Sequence, residues 1–142
     1  MRVYLDSMVW IYFLEGNPAF IADATTLMGR LRAGNHTMLS SFLVEAELLV
    51  LPKRNGDRFT EASYKRIFSA SVVVSIPYPP PSPDIYAELR AKHRTQPVDT
   101  LHATLAAAAN SDLLVTEDKK LLAATVPGIG RIVKISQANT IL

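Results

Sequence analysis

The chain contains no cysteine, and that single absence removes several kinds of chemistry. A disulfide scaffold, a thiolate zinc site and an iron–sulfur cluster are all excluded, so any metal must be held by oxygen or imidazole. The same absence fits a reducing cytosol. An apolar run of the length a membrane or an export signal requires is missing from the start of the chain, where Met1-Arg-Val-Tyr-Leu-Asp6 reaches an acid within six residues. The expectation is a cytoplasmic protein with no membrane association. Internal repeats and linker-like stretches are missing too, so the 142 residues are expected to form one domain, 1–142, with 49% apolar residues to build its core.

What is present is a mild basic excess, 15 Lys and Arg against 13 Asp and Glu. The net figure hides an asymmetry: if four of the acids gather in one site, 15 basic residues face nine acidic ones elsewhere. A basic exterior around an acidic pocket suits a polyanion.

The apolar pattern alternates between two kinds of element. Arg2–Asp6 reads as a strand whose continuous Val3-Tyr4-Leu5 run fits a sheet covered on both faces. Met8–Leu14 forms an apolar helical segment stopped by Gly16-Asn-Pro18, and Phe20 to Leu31 repeats at spacings of three and four up to Gly34. Thr37–Leu39 is a second strand, with Ser40-Ser41 capping a helix Phe42–Leu51 that Pro52 is expected to end. Asp57 caps a further helix to Ser69, in which Phe59, Tyr64, Ile67 and Phe68 are expected to pack. Val72–Ile76 is a β-branched strand, Pro77–Pro83 a rigid polyproline-like connector, and Pro83-Asp84 opens a helix to about Arg94.

Pro97 suits the first turn of a helix that runs through Leu, Ala and His residues to Asn110, which puts Asp99 in that turn. Asp112–Thr116 then reads as a short buried strand, and Thr116 as the N-cap of a helix Glu117–Ala124 that holds Asp118 in its first turn. A last strand is expected at Arg131–Ile135. Strands and helices therefore alternate throughout, which predicts an α/β fold: a three-layer α/β/α sandwich around a central, mainly parallel sheet of about five strands.

Ligands of open parallel sheets bind beyond the carboxyl ends of the strands. Asp6 ends the first strand, Asp118 follows the fourth, Asp99 opens the helix before it, and Glu45 or Glu47 lies on the helix after the second. Glu45 and Glu47 point about 200° apart on a helix, so only one can face that edge. Carboxylates crowded without a counter-charge repel, and a divalent cation relieves the repulsion. All-oxygen sites favour Mg²⁺ or Mn²⁺, which can activate water and act on a phosphodiester.

Asp6-Ser7 after the first strand, Ser41 with Glu47 six residues on, the Glu-Leu-Leu-Val-x-Pro run at 47–52, Val98-Asp99-Thr-Leu-His102 and Leu113-Leu-Val-Thr-Glu-Asp118 together resemble the PIN-domain ribonucleases. The resemblance spans nearly the whole chain, and its size is similar to that of VapC-type toxins of toxin–antitoxin pairs. It implies a Mg²⁺- or Mn²⁺-dependent endoribonuclease that forms a homodimer and is held inactive by an antitoxin. By position it implies Asp6, Glu47, Asp99 and Asp118 as the catalytic, metal-binding quartet, with Ser7 and Thr116 as polar neighbours that steady ligands or waters and are expected to meet substrate. Glu117 stands where the family often has Asn, so it is a second candidate beside Asp118, able to join the metal site or to take over from Asp118.

Lys119 and Lys120 are the best-placed basic residues for RNA phosphate, while Lys53, Arg54, Arg58, Arg90, Lys92 and Arg94 read mainly as solvated faces. His102, one turn after Asp99, is within reach of the site as a ligand or proton shuttle but reads first as a packed, hydrogen-bonded histidine. The Met8–Leu14 helix with Tyr64 and Phe68 offers apolar surface for partner contacts, although core packing explains these residues as well. Two other functions fit the same residues: a phosphotransferase or phosphatase using Asp6 as a nucleophile, and a non-catalytic RNA- or partner-binding module.

Overall fold

The computed structural model describes residues 1–70, 73–77, 82–93 and 95–142. The expected strand start at Val72, residues 78–81 of the proline-rich connector, and Arg94 lie outside the described residues. In chain order the elements are β1 (Arg2–Leu5), α1 (Ser7–Leu14), α2 (Ile21–Ala33), β2 (Thr37–Ser41), α3 (Phe42–Asn55), α4 (Arg58–Ser69), β3 (Val73–Ile76), α5 (Ser82–His93), α6 (Pro97–Ala108), β4 (Ser111–Val115), α7 (Lys119–Leu122), β5 (Ile129–Val133) and α8 (Ile135–Ile141).

The five strands form one sheet in the order β3-β2-β1-β4-β5, and every neighbouring pair is parallel. Helices flank this sheet in the α/β/α arrangement expected from the alternating pattern. Tyr4 pairs with Leu39 on one side and with Leu114 on the other, so β1 lies at the centre. Both of its neighbours shield it, and Val3, Tyr4, Leu5, Leu113, Leu114 and Val115 are all without exposed surface. Their continuous apolar run reflects burial on both sheet faces.

The chain steps outward from β1 through β2 to β3, then crosses back to β4 and out to β5. The order thus reverses between β1 and β4, and a crevice opens beyond the carboxyl ends of those strands. One backbone bond extends their pairing into the loops, from the Asp6 N–H to the Val115 carbonyl at 3.2 Å. Asp6 and Thr116 are thereby held side by side.

Several local expectations are corrected. Pro52 does not end its helix: α3 continues to Asn55 and stops at Gly56, whose φ of 66° is left-handed. Pro52 is buried, and packing offsets the backbone hydrogen bond it cannot donate. Phe59 does not pack but is 83% exposed, one position into α4. Tyr64 and Phe68 belong to the core, Phe68 against Trp10 with ring centroids 5.1 Å apart, so they give no surface to a partner. The last strand begins at Ile129, and Ile135 opens α8 instead of ending the strand. The helix after β4 is a single turn, Lys119–Leu122, capped by Asp118 and not by Thr116.

Candidate active site

Asp6 is placed by the end of β1. Its Oδ1 accepts from the Val9 N–H at 3.1 Å and so caps α1, a favoured role for a short acid at this position. The carboxylate is only 6% exposed. Burial raises its pKa, while the Thr116 hydroxyl, His102 and the N–H groups of Val9 and Met8 pull the other way.

Asp118 has a similar arrangement at the end of β4. Its Oδ1 accepts from the N–H groups of Lys120 and Leu121 at 2.9 and 2.8 Å. Thr116, fully buried, accepts the Asp118 N–H at 3.1 Å through its hydroxyl, which leaves it no surface for a substrate. Its action is on the acids beside it. Glu117 accepts the N–H of Ile135 at 3.0 Å through Oε1, which ties it to the start of α8. Both Glu117 and Asp118 line the pocket that Asp6 faces.

Of the two candidate glutamates on α3, Glu47 reaches this pocket. It is held there by side chains from other elements. Ser7 donates to its Oε2, and His102 Nε2 lies 2.9 Å from the same oxygen. Because a carboxylate only accepts, Nε2 is the donor. In the neutral ring, Nδ1 then accepts from the Tyr4 hydroxyl at 3.0 Å, and that hydroxyl meets Ser41 Oγ at 2.8 Å. Burial by itself would raise the Glu47 pKa, but the hydrogen bonds from His102 and Ser7 outweigh it and hold the group below its ordinary value. Glu47 is therefore ionised at neutral pH. The Ser7 hydroxyl, expected to meet substrate, is committed to this carboxylate.

Asp99 stands in the first turn of α6, as Pro97 dictates. Among the described residues no hydrogen bond reaches its carboxylate. Burial, then the charges of Asp118 and Glu47, raise its pKa, against the opposing influence of His102 and Lys120. Asp6, Glu47, Asp99, Glu117 and Asp118 thus share the wall of one cavity of about 310 Å³. Lys119 and Lys120 are exposed beside it. Lys53 pairs instead with Glu61 at 2.9 Å, Lys92 with Glu88, and Arg90 with the Thr95 carbonyl.

Sequence reasoning missed two groups here. Tyr4 was legible only as a core residue, although it lies two positions before Asp6 and so on the same side of the chain. Tyr12 also lines the pocket, its ring stacked on Phe20 at 4.2 Å between centroids. His102 is buried and hydrogen-bonded, as its setting among Leu and Ala suggests, yet it also contacts the acid cluster.

The donor set suits a hard divalent cation. Asp6 and Asp118 each bind backbone with one carboxylate oxygen, Glu47 is held through one, and Asp99 has no described donor at all. Among the described residues, no three His, Asp or Glu side chains are close enough to form a ready-made chelate.

No curated protein matches the chain in sequence. Solved structures do match in fold. A chain of the VapBC2 complex of Rickettsia felis, bound to a DNA fragment from its promoter, superposes with a TM-score of 0.72 at 23% identity, over 94% of this chain and 98% of that one. A toxin–antitoxin complex of Klebsiella pneumoniae gives 0.68 at 18% identity, over 89% and 94%. The sarcin-ricin loop cleaving toxin VapC20 of Mycobacterium tuberculosis gives 0.65 at 18% identity, over 87% and 96%. The PIN domain family matches residues 3–126, from β1 through the pocket to the segment after α7, and this chain belongs to that family.

Proposed function

We propose that this chain is a divalent-metal-dependent endoribonuclease, the VapC-type toxin of a type II toxin–antitoxin pair. The observation that carries the reading is the convergence of Asp6, Glu47, Asp99 and Asp118, from four separate segments of a PIN domain, on one pocket at the reversal point of the sheet. The likeness to VapBC complexes and to a toxin that cleaves the sarcin-ricin loop supports RNA as the substrate and an antitoxin as the partner.

Asp6, Glu47, Asp99 and Asp118 would hold Mg²⁺ or Mn²⁺, with Glu117 as an adjacent donor. When bound, such an ion supplies an activated water and neutralises charge that develops on a phosphodiester. The chain itself performs the positioning. The capping bonds of Asp6 and Asp118 fix one oxygen of each carboxylate against a helix N-terminus. Ser7 and His102 fix Glu47, and Thr116 steadies both Asp6 and the Asp118 backbone. Lys119 and Lys120, exposed beside the pocket, would meet the RNA backbone as it approaches the acids.

Homodimerisation, a single domain over 1–142 and a cytoplasmic location belong to the same reading. Among the described residues no helix is long and apolar enough to cross a membrane. The decisive experiment compares cleavage of structured RNA by the wild type, Asp6→Asn and Asp99→Asn with Mg²⁺ or Mn²⁺. The wild type cleaves and both variants lose activity; equal cleavage by all three ends the assignment. Co-expression with the protein of the adjacent reading frame yields a stable complex if the toxin reading holds.

A further inference from the structure

We infer that His102 is a positioning residue for Glu47, anchored by a buried chain of hydrogen bonds that runs from Ser41 through Tyr4 to the imidazole. The inference rests on the metal-site reading above and assigns a task to a residue outside the acid quartet.

Glu47 differs from the other acids. Asp6 and Asp118 are short and are clamped by the backbone of the helix each one caps. Glu47 projects from within α3 on a longer side chain, about a third of which is exposed, and no backbone N–H among the described residues holds its carboxylate. Two side chains do so, Ser7 from the start of α1 and His102 from α6.

Both contacts fall on Oε2, which leaves Oε1 as the oxygen available to a cation. A carboxylate held in this way offers a single oxygen in a fixed direction.

The imidazole is fixed in its turn. It is 3% exposed, its Nδ1 is 3.0 Å from the Tyr4 hydroxyl, and the Tyr4 ring meets it edge-on with centroids 6.0 Å apart at 63°. Ser41, at the end of β2, completes the anchor on Tyr4 at 2.8 Å. A histidine serving only to fill space needs neither nitrogen directed. Here both are, towards different elements, and the chain of contacts ends on a site carboxylate. Hydrogen-bond partners behind a ligand orient it and typically govern metal affinity 10- to 100-fold.

The test is Mn²⁺ binding without RNA, followed by calorimetry and electron paramagnetic resonance, in the wild type, His102→Leu, His102→Gln, Tyr4→Phe and Glu47→Gln. His102→Leu is expected to weaken Mn²⁺ binding about tenfold or more. His102→Gln, which returns an N–H at similar reach, recovers most of the loss, and Tyr4→Phe, which removes only the anchor, weakens binding less. In the metal-free wild type the His102 Nε2–H gives a nuclear magnetic resonance signal protected from exchange, and Glu47→Gln shifts it.

If His102→Leu binds Mn²⁺ like the wild type while Glu47→Gln does not, the positioning role is overturned and the metal site stands. If Glu47→Gln also binds like the wild type, the site assignment falls and this inference with it. Nitrogen coupling from His102 to bound Mn²⁺ would make the histidine a ligand and overturn the positioning role. Should His102→Leu fail to fold by circular dichroism, Tyr4→Phe decides, and unchanged affinity in that variant overturns the inference.

Discussion

Tyr4→Phe isolates one oxygen atom at the centre of the molecule. The phenol is fully buried, and its hydroxyl bridges Ser41 Oγ and His102 Nδ1, themselves 1% and 3% exposed as residues. Replacing Tyr4 by Phe leaves the ring packing intact and strands two buried polar atoms. Each such orphan costs about 1–3 kcal/mol, so the variant should lose about 2–4 kcal/mol, with relaxation keeping the sum below the maximum.

Trp10, the one tryptophan in the chain, is buried against Phe68 and reports unfolding by its fluorescence. In urea, with a slope of about 2 kcal/mol/M for a chain of this size, the midpoint should fall by about 1–2 M. Adding Ser41→Ala removes one of the stranded atoms. The double variant should therefore cost about 1 kcal/mol less than the sum of the two single changes. A Tyr4→Phe midpoint within about 0.25 M of the wild type, or strict additivity of the two changes, would refute the argument.

Asp99→Asn should stabilise the metal-free protein at neutral pH. The folded pKa of Asp99 is raised, first by burial and then by Asp118 and Glu47, so its ionisation opposes folding above that pKa and the penalty disappears as the pH falls through it. Melting temperatures in chelator, compared at pH 7 and in the acid range, should show an advantage for the variant at pH 7 that narrows on acidification; a less stable variant at pH 7 contradicts this. Mn²⁺ at a hundredfold excess over its Kd should add about 2.7 kcal/mol to the wild type, or about 10 °C in Tm, and the gain should vanish in Asp6→Asn. Phe59→Asn should change stability by less than about 0.5 kcal/mol in a urea titration, since that ring is almost wholly in solvent.

The strands were legible because burial on both faces leaves a mark that depends on no partner. Val3-Tyr4-Leu5 and Leu113-Leu114-Val115 read as continuous apolar runs and are fully enclosed. The pocket edge was legible for the same reason: parallel strands with helices between them must send their carboxyl ends to one side, and Asp6, Asp99 and Asp118 stand where those ends and the adjoining helix begin. Pro52 misled because its local cost is offset by packing, which no window of sequence displays. Phe59 misled in the opposite way, since its place near the start of α4 turns it outward. The bond between Tyr4 and His102 joins residues 98 apart in the chain, and no spacing rule reaches that far.

The central position of β1 has a consequence for how the molecule comes into being. During synthesis β1 finds β2 within about 35 residues, but its other edge waits for β4, about 110 residues later. Closing so long a loop carries an entropic cost and makes the pairing slow. Until it forms, Asp6 and Glu47 exist without Asp99 and Asp118 beside them. A growing chain released before residue 111 would carry Asp6, Glu47 and Asp99 but neither β4 nor Asp118, so the pocket is completed only once synthesis has passed residue 118.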